Sequence, residues 1–284
     1  MKQIFIFSIG LIFILSACSG NRTAEERTPD HEVLERYFEF MRQNADAGAS
    51  VSELFTQTAL FFLETPYVAH TLEINEEEQL VVNLRGLDCV TIVESSIALV
   101  RAWQSGNHTM EQFKNELQFV RYRDGIIDGY PSRLHYFSDW IVSNERKGIL
   151  TDITREIGGV PIQFDLNIMS SRFDLYPALR YRPDFVERIR EVEEYISART
   201  FYFIPEDQID AKRDFIRNGD IICFVTSRTG LDISHVGIAY WYGDKPTFIH
   251  ASLTAMTVLI EPRTIAEYVA SISHNIGIIV LRLN

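Results

Sequence analysis

The chain has 284 residues, 46% of them apolar and 23% charged, with a formal net charge of -12. This is the composition of a globular protein and excludes disorder as the default state. The acidic balance, with no Lys/Arg-rich stretch against it, excludes nucleic acid as the main partner, and the acidic run from Glu73 to Glu78 reads as a solvated face.

The first element is a short basic start at Lys2 followed by the apolar run Ile4 to Leu15. At about twelve residues the run is too short to span a bilayer comfortably and has the shape of a secretory signal. It ends in Leu15-Ser16-Ala17-Cys18, which resembles the bacterial lipobox. The resemblance implies cleavage before Cys18 and a lipid on Cys18. The expected organisation is then a signal over residues 1-18, a polar tether over 19-30 and one domain over 31-284. The expected location is the bacterial cell envelope, on a membrane, facing the periplasm. An ordinary secretory signal cleaved at the same place is the alternative.

Helical spacing of Val33, Leu34, Tyr37, Phe38 and Met41 predicts a helix over 30-41. Ser50-Val51-Ser52-Glu53 resembles a capping box and opens a second helix through Phe62, which Thr65-Pro66 ends. Leu80 to Leu84 reads as a short strand. An apolar helix follows from Val90 to Trp103, stopped by Ser105-Gly106-Asn107, and Thr109 caps another to about Val120. Residues 132-140 read as a helix closed by Gly148, with Arg133, His135 and Asp139 near one face. Residues 152-182 are irregular, an insertion near the site, and Pro183 starts a charged helix over 184-198. Beyond Gly219-Asp220 the period changes to that of strands, at 221-226, 235-241, 247-251, 257-260 and 276-283. Helices first and strands later predict an α+β domain, helices packed on a mostly antiparallel sheet.

Chemistry concentrates at Asp88-Cys89. A thiol in the first turn of a helix feels the positive end of the helix dipole, which favours the nucleophilic thiolate. Of the three cysteines, Cys18 falls in the lipobox and Cys223 lies inside the apolar strand Ile221 to Val225, where it reads as buried core. Two candidate bases follow on strands, His235 and His250. Asp88 serves as an N-cap, a substrate contact, or both. Asp232 and Ser234 precede the catalytic strand, where a turn explains them as well as substrate binding does. No His-Glu-x-x-His or Cys-x-x-Cys occurs, so no metal or cofactor is expected, and no Gly-x-Ser-x-Gly supports a serine triad.

Leu87-Asp88-Cys89, then His235-Val236-Gly237-Ile238-Ala239-Tyr240, then Phe248-Ile249-His250-Ala251, resemble the NlpC-type papain-like superfamily of cell-wall cysteine peptidases. Thr65-Pro66-Tyr67-Val68-Ala69, Leu87 to Glu94 and Ser132 to Trp140 are similar to its N-acetylmuramoyl-L-alanine amidase-like branch. The resemblance implies a papain-like NlpC-type fold with extra N-terminal helices, Cys89 as nucleophile, His235 as acid-base and His250 as its orienting partner. It implies that Tyr67 supplies an oxyanion donor or a substrate contact. From their own placement, Arg133 or His135 is expected to line the sugar side of the cleft, with ion pairing on a helix surface as the alternative, and Ser234 to contact substrate. Where the peptidases carry Asp-Cys-Ser-Gly this chain has Asp-Cys-Val-Thr, which favours the amidase branch. The implied substrate is a peptidoglycan fragment cleaved between N-acetylmuramic acid, in its 1,6-anhydro form, and L-alanine, in cell-wall recycling or turnover. The alternatives are a γ-D-glutamyl-L-diamino acid endopeptidase, a non-catalytic muropeptide-binding lipoprotein, and an acyltransferase.

Overall fold

The computed structural model describes residues 28-284, so the signal, Cys18 and most of the tether lie outside the described residues. Helices α1 (Pro29–Asn44) and α2 (Val51–Phe61) pack as a pair beneath α3 (Cys89–Gln104). Ser50 caps α2, its side chain accepting from the Glu53 N–H while Glu53 reaches back to the Ser50 N–H. Thr109 caps α4 (Met110–Arg121), which lies along α3. Then come α5 (Phe137–Arg146), β1 (Leu150–Asp152), β2 (Val160–Ile162), the short α6 (Ile168–Ser171), α7 (Pro183–Ser197), β3 (Phe201–Pro205) and the short α8 (Ile209–Lys212). The chain finishes with β4 (Ile221–Thr226), β5 (Ile233–Tyr242), β6 (Lys245–Ser252), β7 (Thr257–Ile260), α9 (Ile265–Ala270) and β8 (Asn275–Leu283).

The strands form one antiparallel sheet in the order β2-β3-β8-β4-β5-β6-β7, and β1 also pairs with β8. Alternation along β4 explains how it is covered on both sides. Ile221, Cys223 and Val225 enter the large core under the helices, while Ile222 and Phe224 enter a smaller core under α9. Cys223 is fully buried, as its strand pattern predicted.

Two expectations need correction. Leu80 to Leu84 forms no strand and joins no ladder. Side chains satisfy its backbone instead: Arg121 Nη1 donates to the Val81 carbonyl at 2.7 Å, and the Leu84 N–H donates to Asp30 at 2.8 Å. The helix expected over 132-140 begins at Phe137, and Tyr130–Ser132 is a 3-10 turn around Pro131. Arg133 and His135 therefore share no helical face with Asp139, which instead holds Arg123 through two bonds of 2.8 Å.

Candidate active site

Local physics places Cys89 at the first position of α3. Asp88 is the N-cap: its Oδ1 accepts from the N–H groups of Val90 (3.0 Å) and Thr91 (2.8 Å), and Thr91 Oγ1 accepts from the Asp88 N–H. That oxygen of Asp88 is thus committed to the helix. The segment before the cap is pinned where Leu87 donates to the Pro66 carbonyl and Val68 donates to that of Leu87. The same pairing sets Tyr67 close enough to Cys89 and Asp88 for both to raise its pKa, after burial.

The sheet opens where it meets this helix start. The β5–β6 ladder runs from Tyr242–Lys245 to Ile238–Ile249, and residues 233-237 of β5 continue beyond it. In that opened part the Val236 N–H is directed at the Cys89 sulfur, joined by the N–H groups of Cys89 and Val90. His235, one residue before Val236, lines the same cleft as Cys89, a concavity of about 550 Å³. Its Nε2 lies 2.7 Å from His250 Nδ1, the rings nearly perpendicular. Gly237 leaves room for the ring of Phe248, because a Cβ there would fall 2.4 Å from it. Phe248, Phe224 and Tyr268 of α9 surround the two imidazoles.

This enclosure sets the resting charges. Burial, then Asp88, pushes the Cys89 thiol up to about 12, and the three amides at the sulfur only partly oppose this. Burial, then His250, pushes His235 down to about 3, while burial and then Arg263 push His250 down to about 4. Burial at this site therefore favours a neutral thiol and a neutral imidazole. The helix-start effect on the thiolate is present but smaller than desolvation.

The remaining sequence candidates separate. His135 lines the cleft; its Nε2 meets the Tyr130 carbonyl at 2.8 Å, and burial, then Arg133, holds its pKa well below the usual histidine range. Arg133 does not line the cleft around Cys89. It is buried against Glu73 (2.6 Å) and Glu78 (3.1 Å) with its guanidinium over Tyr130, so it clamps the segment over residues 73-78 rather than presenting a charge to ligand. Ser234 is at the cleft, but its hydroxyl donates to Asn275 Oδ1 at 2.6 Å. Asp232 is buried and accepts from the Ser138 N–H at 2.7 Å, capping α5 from a distance. Sequence reasoning missed Glu261, whose carboxylate lies 3.3 Å from His250 Nε2. It also missed Tyr136, Met169 and Tyr176, which line the same cleft as Cys89 and His235. Residues 152-182 supply the last two. Among the described residues no cluster of His, Cys, Asp and Glu is arranged to hold a metal ion.

A cysteine at a helix start, facing histidines on an antiparallel sheet, defines the NlpC-type papain-like α+β fold. Residues 57-278 match the N-acetylmuramoyl-L-alanine amidase-like family, and the chain belongs to it. Among solved structures, an N-acetylmuramoyl-L-alanine amidase from Bacteroides uniformis is 34% identical, with a TM-score of 0.79 over 83% of this chain and 100% of that one. A putative xylanase from Bacteroides fragilis is 36% identical, with a TM-score of 0.76 over 79% of this chain and 99% of that one. A protein from Legionella pneumophila, 21% identical with a TM-score of 0.65 over 89% of this chain and 94% of that one, shares the fold. No curated protein matches the chain.

Proposed function

We propose that the protein is a cysteine amidase that cleaves the bond between N-acetylmuramic acid and L-alanine in peptidoglycan fragments. The observation that carries this reading is the convergence of Cys89, the Val236 and Cys89 amides and the His235–His250 couple on one cleft. As the sulfur attacks the amide carbon, His235 takes its proton and passes it to the leaving amine. Backbone N–H groups at the sulfur receive the charge developing on the carbonyl oxygen, each worth about 3 kcal/mol in the barrier. Water then releases the muramyl carboxylate from the thioester. The preference for a 1,6-anhydro sugar, and with it a place in cell-wall recycling, rests on family resemblance alone.

A glycosidase, suggested by the name of the Bacteroides fragilis relative, needs two carboxyl groups flanking the scissile bond. Among the described residues, the carboxylates that line the cleft around Cys89 are Glu73 and Asp232. Glu73 is paired with Arg133, and Asp232 is capping α5. That favours amide chemistry.

Defined muropeptides, with products read by mass spectrometry, test the reading against Cys89→Ala. Free stem peptide from the parent only is the expected result. Cleavage after D-glutamate moves the protein to the endopeptidase class, transfer of the muramyl group to an added amine makes it an acyltransferase, and binding without turnover makes it a muropeptide-binding lipoprotein. Membrane attachment through Cys18 is proposed from Leu15-Ser16-Ala17-Cys18 alone. It predicts incorporation of labelled palmitate that Cys18→Ala abolishes.

A further inference from the structure

We infer that Glu261 is a positioning residue that fixes where the protons sit on His250 and, through it, on His235. The inference deepens the proposed amidase chemistry, but its geometry stands apart from any substrate. Glu261 follows β7, and its side chain is 4% exposed beside that of His250 at 3%. Its Oε1 accepts from Arg263 Nε at 2.6 Å and from the Arg263 N–H at 3.2 Å. Its Oε2 faces His250 Nε2 at 3.3 Å, in ion-pair range although poorly aligned for a hydrogen bond. Nε2 has no other acceptor among the described residues.

An ionised carboxylate only accepts, so the ring nitrogen it faces carries a proton. Neutral His250 then has a bare Nδ1, which accepts from His235 Nε2–H across the 2.7 Å contact. His235 is left with its lone pair on Nδ1, the nitrogen that His250 does not occupy, free to take the thiol proton. The opposite order is equally compatible with the 2.7 Å distance. In that order His250 donates from Nδ1, and neutral His235 carries its proton on Nδ1 and cannot act as base. Glu261 selects between the two orders. When His235 becomes an imidazolium, the same carboxylate favours the charged form. The other ionisable groups around the pair are Arg263, Tyr268, Cys89 and Asp88.

The rival is a turn-holding role. The bonds that hold this turn run largely through backbone: the Glu261 N–H donates to the Phe248 carbonyl at 2.9 Å, and Thr247 Oγ1 donates to the Glu261 carbonyl. Side-chain replacement leaves these in place.

The test uses the full chain with histidine labelled at its ring nitrogens, resonances being assigned with His235→Ala and His250→Ala. At neutral pH the parent is expected to show protonated Nε2 and bare Nδ1 on both rings. In Glu261→Gln, whose amide can either accept or donate, the His250 signature is expected to shift toward the other tautomer. Turnover of muropeptide should fall on the order of tenfold to a hundredfold in kcat, with little change in KM. Glu261→Asp, which keeps the charge, is expected to restore the ring signature, and Arg263→Ala to preserve it. A parent whose His250 is protonated at Nδ1, or a Glu261→Gln protein with parental ring shifts, overturns the inference. An Arg263→Ala protein that reproduces the Glu261→Gln shifts also overturns it. Parental ring shifts as expected, with no turnover of any muropeptide, would remove the amidase reading and leave this one intact.

Discussion

Asp88 performs two tasks that substitution can separate: it caps α3, and its charge opposes ionisation of Cys89. Asp88→Ala removes the acceptor for the Val90 and Thr91 amides, which costs about 1 kcal/mol for a helix N-cap. In a chain of this size that lowers Tm by about 2–4 °C. Asp88→Asn keeps an oxygen at the cap and removes the charge, so its loss of stability is expected within a few tenths of a kcal/mol. With the charge gone the Cys89 thiol ionises more easily, and alkylation by iodoacetamide should be faster at the same pH than in the parent. Thermal unfolding and the pH dependence of alkylation, run in parallel on both variants, are the assays. Because Oδ1 is engaged by the helix, KM for a muropeptide should move little in Asp88→Asn. The reasoning fails if Asp88→Asn destabilises as much as Asp88→Ala, if its alkylation is slower than the parent's, or if its main effect is a large rise in KM.

Gly237→Ala would bring a methyl 2.4 Å from the Phe248 ring and 3.1 Å from the Ile249 carbonyl. A loss of about 1–3 kcal/mol in denaturant unfolding is expected, with reduced turnover as Phe248 is displaced against His250. The Arg121–Glu94 pair is buried at 2.7 Å, its side chains 3% and 2% exposed. Arg121→Met alone should cost about 3–5 kcal/mol by stranding Glu94, while Arg121→Met with Glu94→Leu should recover much of it, as a double-mutant cycle will show. Burial raises Asp152 from its ordinary value to about 6, so the folded state holds more protons than the unfolded state between about pH 4 and 6. Stability from this group is present at the acid end and is lost as pH rises through about 6. Asp152→Asn, which can still accept from the Thr154 N–H, should therefore gain stability over the parent above pH 6 and show little gain near pH 4. With His235 as the proposed base, its depressed pKa predicts an acid limb of kcat/KM below the ordinary histidine value of 6.5, which a pH-rate profile on a muropeptide checks.

Helix starts were legible because capping is local: Ser50, Thr109 and Asp88 each satisfy amides within three residues. The later strands were legible because alternation and turns bound them, β4 and β7 matching the sequence reading at both ends. β1, β2 and β3 were missed; they are three to five residues long, and only distant partners such as β8 make them strands. Leu80 to Leu84 shows the reverse case, a strand-like pattern with no partner to pair with. Cys89, His235 and His250 stood out because each sits in a recognisable local setting, a helix start or a strand. Arg133 looked available because its acidic partners lie about sixty residues away. In Ile260-Glu261-Pro262-Arg263, Glu261 resembles an exposed turn residue. Only the β6–β7 register, which pairs His250 with Leu259, puts Glu261 diagonally across on the same face. A hairpin drawn from sequence, with that register, is the signal that could have found it.

The position of β8 has a temporal consequence. The last of the described strands lies inside the sheet, between β3 and β4, and is synthesised after both of them. Cys89 leaves the ribosome almost two hundred residues earlier, at the head of a helix whose supporting sheet does not yet exist. Until residues 275-283 arrive, β4 is paired on one edge only, with β5, which carries His235. A chain clipped before residue 275 leaves an open edge on β4, the strand against which the His235 strand is built. The cleft that Cys89 and His235 share therefore waits on a strand almost two hundred residues further along the chain than the cysteine itself.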